Sequence, residues 1–348
     1  MPRASPKVRV GIIRCDTHGF WYAPLFERPD PDLYRKNHRG CHYYFYRWDD
    51  PRKQRIGPVP GMVIARVYDE NRSLAEALSE AYRGRPKVCD RPEDVSDDVD
   101  LVYIADCSGE GKDHLRYAAP GLKKGVPHFV DKPFAFTLAD AREMISLARK
   151  HDTAVMCLSL LRASPYLRRF RTRLADIAPV GTIVIPCGGP SLAAVFHGLS
   201  TAQNIMGEGC EWVQSMGPVI YDILRLHYPG PQGGTDVIVF NARGADPRAR
   251  MTAAIYHHCR YHASAYGAFG AAHSPLVGDY RFPDGGIEIV RLAKRMALTR
   301  KPPVAYDSML ELMEMIEAAR LAHNKGRRVY LEEVRQGSPE SDSHASPR

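Results

Sequence analysis

The stretch Val126-Pro-His-Phe-Val-Asp-Lys-Pro133 decides the fold of this chain of 348 residues. Its apolar run shows little alternation, which is typical of a strand buried on both faces of a parallel sheet. A lysine directly after such a strand stands at its carboxyl end, where open α/β sheets bind their ligands. We therefore predict a strand at 128–130, followed by Asp131 orienting Lys132 in a ligand crevice. A lysine exposed on a loop before a helix would explain the position equally well.

Strands and helices alternate on both sides of this stretch. Strands are predicted at 8–13, 61–68, 100–105 and 154–158, and helices at about 113–124 and from 137 onward. A capping box, Ser73-Leu-Ala-Glu76, opens a further helix. This order predicts βαβ units and a doubly wound parallel sheet, which is a Rossmann nucleotide-binding domain over residues 1–160.

About fifty residues separate Gly19 from Asp69, whereas a simple dinucleotide-binding unit needs roughly twenty. We therefore predict an insertion at about 20–60. A packed surface loop or hairpin is the favoured interpretation, and a lid or subunit contact is the alternative, because long loops in compact domains are often functional.

The second half of the chain has a different pattern. Strands at 181–186, 237–240 and 251–256, with a long apolar helix at about 210–226 and a closing helix at 309–322, predict a C-terminal α/β domain over 161–331 with a mainly antiparallel sheet. Residues 332–348 are polar and are predicted to form a disordered tail.

Composition is that of a soluble globular protein, with 44% hydrophobic and 25% charged residues. No signal peptide and no run of roughly 20 apolar residues is visible, which predicts a cytoplasmic protein with no membrane partner. The net charge of +8 is spread along the chain, and the group Arg168-Arg-Phe-Arg-Thr-Arg173 is interpreted as the solvated face of a helix, so no nucleic-acid partner is predicted. The eight cysteines form no C-x-x-C pair, which predicts reduced and mostly buried thiols.

The loop after the first strand bears on cofactor binding. A dinucleotide fold favours G-x-G-x-x-G there, because glycines let the backbone approach the pyrophosphate. Here the loop reads Arg14-Cys-Asp-Thr-His-Gly19, so only the third glycine remains. Asp16 would obstruct and repel a phosphate, whereas Arg14 would attract it. Asp69 is placed to bind ribose hydroxyls and to disfavour a 2′-phosphate, although a strand-end Asp is as often a helix cap.

The segment Gly125-Val-Pro-His-Phe-Val-Asp-Lys-Pro133 resembles the "AGKHVLCEKP" segment of the glucose-fructose oxidoreductase, inositol dehydrogenase and MocA (Gfo/Idh/MocA) family. Residues 99–162 and the closing region 300–331 follow the same pattern. The resemblance implies a Rossmann domain, a C-terminal domain on an open sheet that often mediates homo-oligomerisation, and NAD(P)-dependent oxidation or reduction of a small molecule such as a sugar or polyol. Asp69 favours NAD over NADP.

Individual residues of the family pattern are only partly present. Lys132 matches the catalytic lysine, and Asp131 stands where Glu is usual. The second catalytic motif, D-x-G-x-H-x-x-D on a helix, aligns with residues 215–222, where its glycine and last Asp (Asp222) match but Ser215 and Val219 replace the catalytic Asp and His. Valine cannot accept a proton. The catalytic candidates are Lys132, Asp222 and His197; the cofactor-binding candidates are Gly11, Arg14, Cys15, Asp16, Gly19, Asp69, Asp106, His114 and Asp131.

Three functional hypotheses remain open. The chain is a divergent oxidoreductase whose proton-transfer group has moved, to Lys132, to His197 or into Tyr256-His-His-Cys-Arg-Tyr-His262. The histidines and the cysteine of this last cluster could also bind a metal, but their spacing matches no zinc motif. We favour polar residues that line a cleft, so no metal ligand is predicted. Alternatively, the chain is a non-redox enzyme or a ligand-binding or regulatory protein, or it is a scaffold partner of an active relative.

Overall fold

The computed structural model describes residues 7–37, 57–106, 109–188, 191–241, 261–278 and 281–337. In its first half, six parallel strands form one sheet, in the order β3-β2-β1-β4-β5-β6. This order is that of the Rossmann fold, with its topological switch point between β1 and β4. The strands are β1 (Val8–Ile13), β2 (Met62–Tyr68), β3 (Lys87–Val88), β4 (Leu101–Ile104), β5 (His128–Val130) and β6 (Val155–Met156).

Helices connect these strands, as the alternation predicted. They are α1 (Thr17–Phe26), α2 (Pro31–Asn37), α3 (Arg72–Ala81), α4 (His114–Lys123) and α5 (Leu138–Lys150), with a 3₁₀ helix at Pro92–Ser96. The apolar strands β4 and β5 are buried along their whole length. A strand covered by helices on both faces is apolar at nearly every position, which is why its sequence shows little alternation.

Two local features differ from prediction. The predicted capping box at 73–76 is wrong: the N-cap is Asn71, two residues before Ser73, and it accepts a hydrogen bond from the Ser73 amide at 3.2 Å. Helix α1 also overlaps the start of the insertion predicted at about 20–60, because it is the crossover helix between β1 and β2. The extra chain therefore begins at Glu27, and its part at 38–56 lies outside the described residues.

A second sheet of seven strands lies in the C-terminal half, in the order β12-β11-β7-β10-β9-β8-β13. β7 and β10 are parallel and the other pairs are antiparallel, so the predicted mainly antiparallel α/β architecture is confirmed. The elements are α6 (Pro165–Thr172), β7 (Val180–Cys187), α7 (Leu192–Met206), β8 (Trp212–Met216), β9 (Ile223–Tyr228), β10 (Thr235–Asn241), β11 (Ser264–Gly267), β12 (Gly270–His273), α8 (Phe282–Thr299), α9 (Tyr306–Lys325), β13 (Val329–Tyr330) and α10 (Leu331–Gln336).

The helix predicted at about 210–226 is wrong. This stretch forms β8 and β9, joined by a turn in which Gly217 has a φ of +112°. Gly217 and Pro218 both disfavour a helix interior, and the residues of β9 alternate between half-buried and buried, as on one sheet face. The predicted strand at 251–256 lies outside the described residues.

The start of the predicted disordered tail is also wrong. Residues up to Gln336 form α10, because Leu331 and Val334 are buried and give the helix an apolar side. Residues 338–348 lie outside the described part of the chain.

The two halves pack closely beside the switch point. A Cβ on Gly285 of α8 would lie 2.1 Å from the Leu160 carbonyl oxygen, and one on Gly286 would lie 2.6 Å from the Trp21 ring. Among the described residues, no helix is long and apolar enough to cross a membrane.

Candidate active site at the carboxyl edge of the parallel sheet

The loops that follow β1, β4 and β5 meet at one edge of the parallel sheet. They bring together Arg14 to Asp16, Asp106, and the pair Asp131 and Lys132. Ligands of open α/β sheets bind at this edge, beside the switch point. Most of the residues predicted as site residues are therefore placed in one region.

Arg14 occupies the position of the first glycine of the usual phosphate loop, with a φ of +70°. Its guanidinium lies 3.4 Å from Asp106, 3.4 Å from Glu70 and 3.8 Å from Asp16. Although burial opposes this, Asp106, Asp69 and Asp16 raise the pKa of Arg14 above its ordinary value. The loop thus presents a permanent cation where glycine loops present bare backbone.

Asp16 is the residue before α1 and stands at the position of the second glycine. Its carbonyl accepts the Phe20 amide at 3.0 Å, but its carboxylate does not cap the helix. Burial raises the pKa of Asp16 to about 6, although His18 and Arg14 oppose the shift. The group is therefore partly protonated in mildly acidic solution, which weakens its repulsion of a phosphate.

Asp69, at the end of β2, has backbone partners. Its carboxylate accepts the Cys15 amide at 2.7 Å and the Asn71 amide at 2.8 Å. Both interactions fix the shape of the adjoining loops. Both oxygens of the carboxylate therefore have backbone donors.

Two glycines permit close packing around this loop. A Cβ on Gly19 would lie 2.3 Å from the Arg14 carbonyl oxygen, and one on Gly11 would lie 2.5 Å from the Val95 carbonyl oxygen. Gly19 therefore lets α1 approach β1, which is the task of the third glycine in the usual motif. Gly11 lets the 3₁₀ helix approach β1.

A second set of charged residues, around Asp106, lies next to Arg14. Asp106 is fully buried, and its Oδ2 lies 3.5 Å from His114 Nε2, while His114 Nδ1 lies 3.2 Å from the Phe134 carbonyl oxygen. Although burial opposes it, the bond to Asp106 raises the pKa of His114. Asp106, Asp113 and His114 bring potential ligand atoms within 4.8 Å of one another, but the Arg14 guanidinium already supplies positive charge there.

Lys132 is buried, with 9% of its surface exposed. In the part of the chain that the structure describes, no carboxylate lies within 4.0 Å of its ammonium. Burying a charge is costly without a partner. Such a lysine in a cleft is a candidate functional group.

The side chain of Lys132 lines a small cavity between the two halves of the chain. The cavity has room for about one water molecule, a volume of about 10 Å³. It is lined by His18, Trp21, Tyr22, Asp131, Lys132, Leu160 and His197. Lys132 and His197, both predicted as catalytic, therefore meet here, although they belong to different halves of the chain.

The two histidines of the cavity are held differently. His18 Nδ1 is hydrogen-bonded to Asp131 Oδ2, and the other oxygen of Asp131 accepts the Lys132 amide at 2.8 Å. His197 Nδ1 lies 2.7 Å from Ser159 Oγ. Burial, and then the charges of Lys132 and His18, lower the pKa of His197 well below its ordinary value. His197 is therefore neutral.

Other predicted residues lie elsewhere. Asp222 is at the turn before β9 and does not line the cavity. Of the cluster at 256–262, only Tyr261 and His262 are described, and Tyr261 packs 5.3 Å from the His197 ring. Cys15 is buried, as are all the described cysteines.

His18 and Ser159 were missed as site residues. His18 was visible as the histidine in the first turn of the helix that follows β1. Ser159 offered no signal, since its partner His197 is 38 residues away.

Comparisons with known proteins agree with this architecture. Residues 46–158 match the family model described as an oxidoreductase family with an NAD-binding Rossmann fold. The chain is 32% identical over 126 residues to a 1,5-anhydro-D-fructose reductase of Ensifer adhaerens, covering 36% of this chain and 34% of the reductase. It is 31% identical over 93 residues to an inositol 2-dehydrogenase of Paracoccus denitrificans, covering 26% and 27%. The chain thus aligns with only about a third of the length of these relatives.

Solved structures match over nearly the whole chain. A probable dehydrogenase from Thermotoga maritima has a TM-score of 0.69 at 17% identity, covering 94% of this chain and 100% of that one. A myo-inositol dehydrogenase from Lactobacillus casei, in complex with NAD(H) and myo-inositol, has a TM-score of 0.68 at 15% identity, covering 93% and 96%. At these identities the likeness shows the fold. The family match over residues 46–158 agrees with the resemblance to the Gfo/Idh/MocA oxidoreductase family in that part of the chain.

Proposed function

We propose that this chain is an NAD(P)-dependent oxidoreductase that acts on a sugar, a polyol or a related small molecule. The observation that carries the proposal is the buried ammonium of Lys132, which lies at the carboxyl end of β5, has no carboxylate partner among the described residues and faces a cavity shared with His197. A desolvated cation suits an oxygen that gains negative charge during reaction. The relatives that carry the names of a reductase and a dehydrogenase support the same class.

The charges of the residues at the sheet edge suit the anionic part of a dinucleotide, although the loop sequence differs from G-x-G-x-x-G. The amino end of α1 points to this edge, and helix amino ends favour phosphates. Arg14 supplies a cation, and Asp16 is partly neutralised by its raised pKa. Arg14, the first turn of α1 and Asp69 would hold the cofactor, and the carboxylate of Asp69 favours NAD over NADP.

The bound nicotinamide would supply the hydride acceptor or donor. In our proposal, Lys132 binds and polarises the reacting hydroxyl or carbonyl oxygen. His197 is neutral and its Nδ1 is engaged by Ser159, so its ring orients the substrate without adding a second positive charge. The apolar walls of the cavity, Trp21 and Leu160, exclude water.

The family's second motif lies on a helix, whereas residues 215–222 form the end of β8 and a turn. In this proposal, the helix α7 is therefore aligned with the motif instead. Superposing Gly198 on the glycine of D-x-G-x-H-x-x-D puts Phe196, Ser200 and Gln203 at its Asp, His and Asp positions. A Cβ on Gly198 would lie 2.4 Å from Val239, so this glycine is required for α7 to pack on β10. On either alignment, the usual proton acceptor is absent.

A second candidate, a ligand-binding or regulatory protein on the same fold, is favoured by one observation. The cavity holds about one water, and Arg14 fills the phosphate region with ion pairs to Asp106 and Glu70. Substrate and cofactor enter only if these side chains part. The same small cavity, in which Lys132 and His197 meet apolar walls, argues against a scaffold without a ligand.

A homo-oligomer is part of the proposal. Three of the four large apolar side chains that are exposed in the described chain, Tyr266, Phe269 and Leu276, lie on or beside β11 and β12 at one edge of the second sheet. Exposed apolar groups close together are typical of protein contacts. We expect Phe269→Ser to lower the molecular mass measured by light scattering, and an unchanged mass would exclude this edge.

Cofactor titration tests the main proposal. Trp21 lines the cavity, and we expect NAD(H) or NADP(H) to quench its fluorescence saturably, with the signal lost in Trp21→Phe. The Lys132→Met variant is expected to bind the cofactor but to lose turnover of 1,5-anhydro-D-fructose or myo-inositol. Lys123→Met, on the exposed side of α4, is the matched control. Absence of saturable binding for all four cofactor forms, by fluorescence and calorimetry, would refute the redox class.

A further inference from the structure

The hydrogen bond between Ser159 and His197 joins the loop after β6 to the helix α7. Ser159 is 1% and His197 5% exposed, and Ser159 Oγ lies 2.7 Å from His197 Nδ1. Ser159 Oγ also accepts the Leu161 amide at 3.2 Å, and the Ser159 carbonyl accepts the Ala163 amide at 3.0 Å. The hydroxyl is therefore held by its own loop and meets the His197 ring at a fixed position.

These contacts define which nitrogen of His197 carries the proton. Because burial keeps the ring neutral, it has a single N–H. A serine hydroxyl has one proton to donate, and its only acceptor among the described residues is His197 Nδ1. A proton on Nδ1 would leave the buried hydroxyl without an acceptor, which is costly. Nδ1 therefore accepts from Ser159, and Nε2 carries the proton of the ring.

The Nε2–H group is open to the cavity. His197 Nε2 has no hydrogen-bond partner in the described part of the chain, and, unlike His114 Nε2 and His128 Nε2, it is not enclosed. The ring lines the cavity that holds about one water molecule, and its Nδ1 is turned to Ser159. Nε2 is thus the ring nitrogen that a ligand in the cavity would meet.

Lys132 supplies a second donor to the same space. An ammonium group and an Nε2–H group can only donate hydrogen bonds. The carboxylate of Asp131 also lines the cavity, but one of its oxygens is bonded to His18 and the other accepts the Lys132 amide at 2.8 Å. Lys132 and His197 therefore favour an oxygen that accepts from both, and the charge of Lys132 favours a negative one.

We infer that His197 donates its Nε2–H to the reacting oxygen of the substrate and forms with Lys132 a site for the alkoxide. The inference rests on the proposed function. In the reduction direction, the carbonyl carbon takes the hydride from the reduced nicotinamide, and the electron pair of the second C–O bond moves to the oxygen. That oxygen then takes a proton from the Lys132 ammonium, which regains one from water. Oxidation reverses each of these transfers.

A neutral histidine suits this role. Donors that are already oriented stabilise the charge that an oxygen gains in the transition state, and a neutral imidazole can polarise a carbonyl. His197 does so without placing a second positive charge beside Lys132. The hypothesis that His197 accepts the substrate proton requires a lone pair on Nε2, which the bond from Ser159 to Nδ1 excludes.

His197→Gln and His197→Leu separate a donor from a proton acceptor. Gln keeps an N–H group but cannot take up a proton, whereas Leu has neither property. With 1,5-anhydro-D-fructose and NADH or NADPH, we expect kcat to fall about 100-fold to 1,000-fold in His197→Leu and less than about tenfold in His197→Gln. The Kd for the cofactor is expected to change less than about threefold in both variants.

His273→Gln, an exposed change on β12, is the matched control and is expected to leave kcat unchanged. Equal losses of kcat in His197→Gln and His197→Leu would show that His197 takes up a proton. Full activity of His197→Leu would show that it does not bind the oxygen. Either result overturns the inference.

Nitrogen NMR of the unliganded protein gives a readout that needs no turnover. The His197 ring resonances, assigned by their loss in His197→Gln, are expected to show a protonated Nε2 and an unprotonated Nδ1 at about pH 8. In Ser159→Ala, we expect a mixture of the two tautomers and a lower kcat. A protonated Nδ1 in the wild-type protein would overturn the inference and leave the proposed function intact. Failure of the wild-type protein to bind any cofactor would instead refute the proposed function.

Discussion

Arg14 Nε lies 3.4 Å from Asp106 Oδ1, so the loops after β1 and β4 are joined by an ion pair at the switch point of the parallel sheet. The Asp106 side chain is fully buried, and that of Arg14 is 14% exposed. In a glycine-rich loop this space would be open to a pyrophosphate. Here a cation that belongs to the protein fills it, and the same cation must bind a cofactor phosphate if one enters.

Arg14→Ala is expected to destabilise the fold strongly. It would leave the buried Asp106 carboxylate beside Asp113, with His114 3.5 Å away, and removing one partner of a buried pair typically costs about 3–5 kcal/mol. Urea unfolding followed by circular dichroism measures the free energy of unfolding. Arg14→Lys keeps the positive charge, so its free energy of unfolding is expected to fall less than that of Arg14→Ala. Equal stability of Arg14→Ala and wild type would show that the pair contributes nothing to the fold.

Cofactor affinity is expected to rise as the pH falls through about 6. The pKa of Asp16 is raised by burial to about 6, so the carboxylate that repels a phosphate is neutralised below this pH. The interaction of two unit charges about 4 Å apart is worth about 1 kcal/mol even in bulk water, which corresponds to about fivefold in Kd. Fluorescence titrations with NAD+ between about pH 5 and 8 measure the effect.

Asp16→Asn is the variant that isolates this charge. It is expected to bind NAD+ about fivefold more tightly than wild type at about pH 8 and to show a smaller change of Kd with pH. The pKa of His114 is raised by Asp106, so its protonation leaves a residual dependence in the variant. If the variant and wild type have the same Kd at about pH 8, Asp16 does not face the phosphates.

The Rossmann half was predictable because its signals are local. A strand such as β4, buried on both faces, is a continuous apolar run, and the positions after a strand of the parallel sheet lie at the ligand edge. In the second half, one face of the sheet is covered and the pattern is weaker. The apolar stretch at 210–226 was therefore interpreted as a helix, although Gly217 and the alternation in β9 indicated two strands.

The candidate site was predictable only where a residue's role follows from its place on a strand end. Lys132 and Asp69 have such places. The pairing of His18 with Asp131 joins residues 113 apart and depends on how α1 docks against β5. The meeting of His197 with Lys132 depends on how the two halves of the chain pack. Neither relationship leaves a pattern in the sequence.

Acid is expected to destabilise the protein through His128, which lies in the stretch that decides the fold. His128 is fully buried on β5, and burial lowers its pKa from 6.5 to about 4. Below pH 6.5, His128 therefore takes up a proton in the unfolded chain, whereas in the native state it stays neutral until about pH 4. Stability is full above pH 6.5 and falls toward pH 4, by roughly 3 kcal/mol in all.

Urea unfolding at a series of pH values measures this loss. His128→Gln removes the titrating group, so its free energy of unfolding is expected to change less than that of wild type over this window, although the variant is less stable at neutral pH because the tight packing against Gly121 is disturbed. Parallel pH profiles for the two proteins would exclude His128 as the cause.

Gly19→Ala is expected to damage the site and the fold together. The added Cβ would lie 2.3 Å from the Arg14 carbonyl oxygen, which is backbone and cannot move aside without shifting the loop. Overpacking of this kind typically costs about 1–3 kcal/mol. The helix α1 must then move away from β1 and carry His18 away from Asp131, so the loss of cofactor affinity and turnover should exceed what the loss of stability alone explains.

Gly181→Ala provides the matched control, because a Cβ at Gly181 on β7 meets no atom within 4 Å. Its free energy of unfolding is expected to stay within about 0.5 kcal/mol of wild type. Thermal and urea unfolding of the two variants, followed by cofactor titration below the melting temperature, separate a general effect of losing a glycine from the specific contact with Arg14. If Gly19→Ala is as stable as Gly181→Ala and binds cofactor normally, α1 tolerates a wider spacing from β1, and the close approach is not what holds His18 in place.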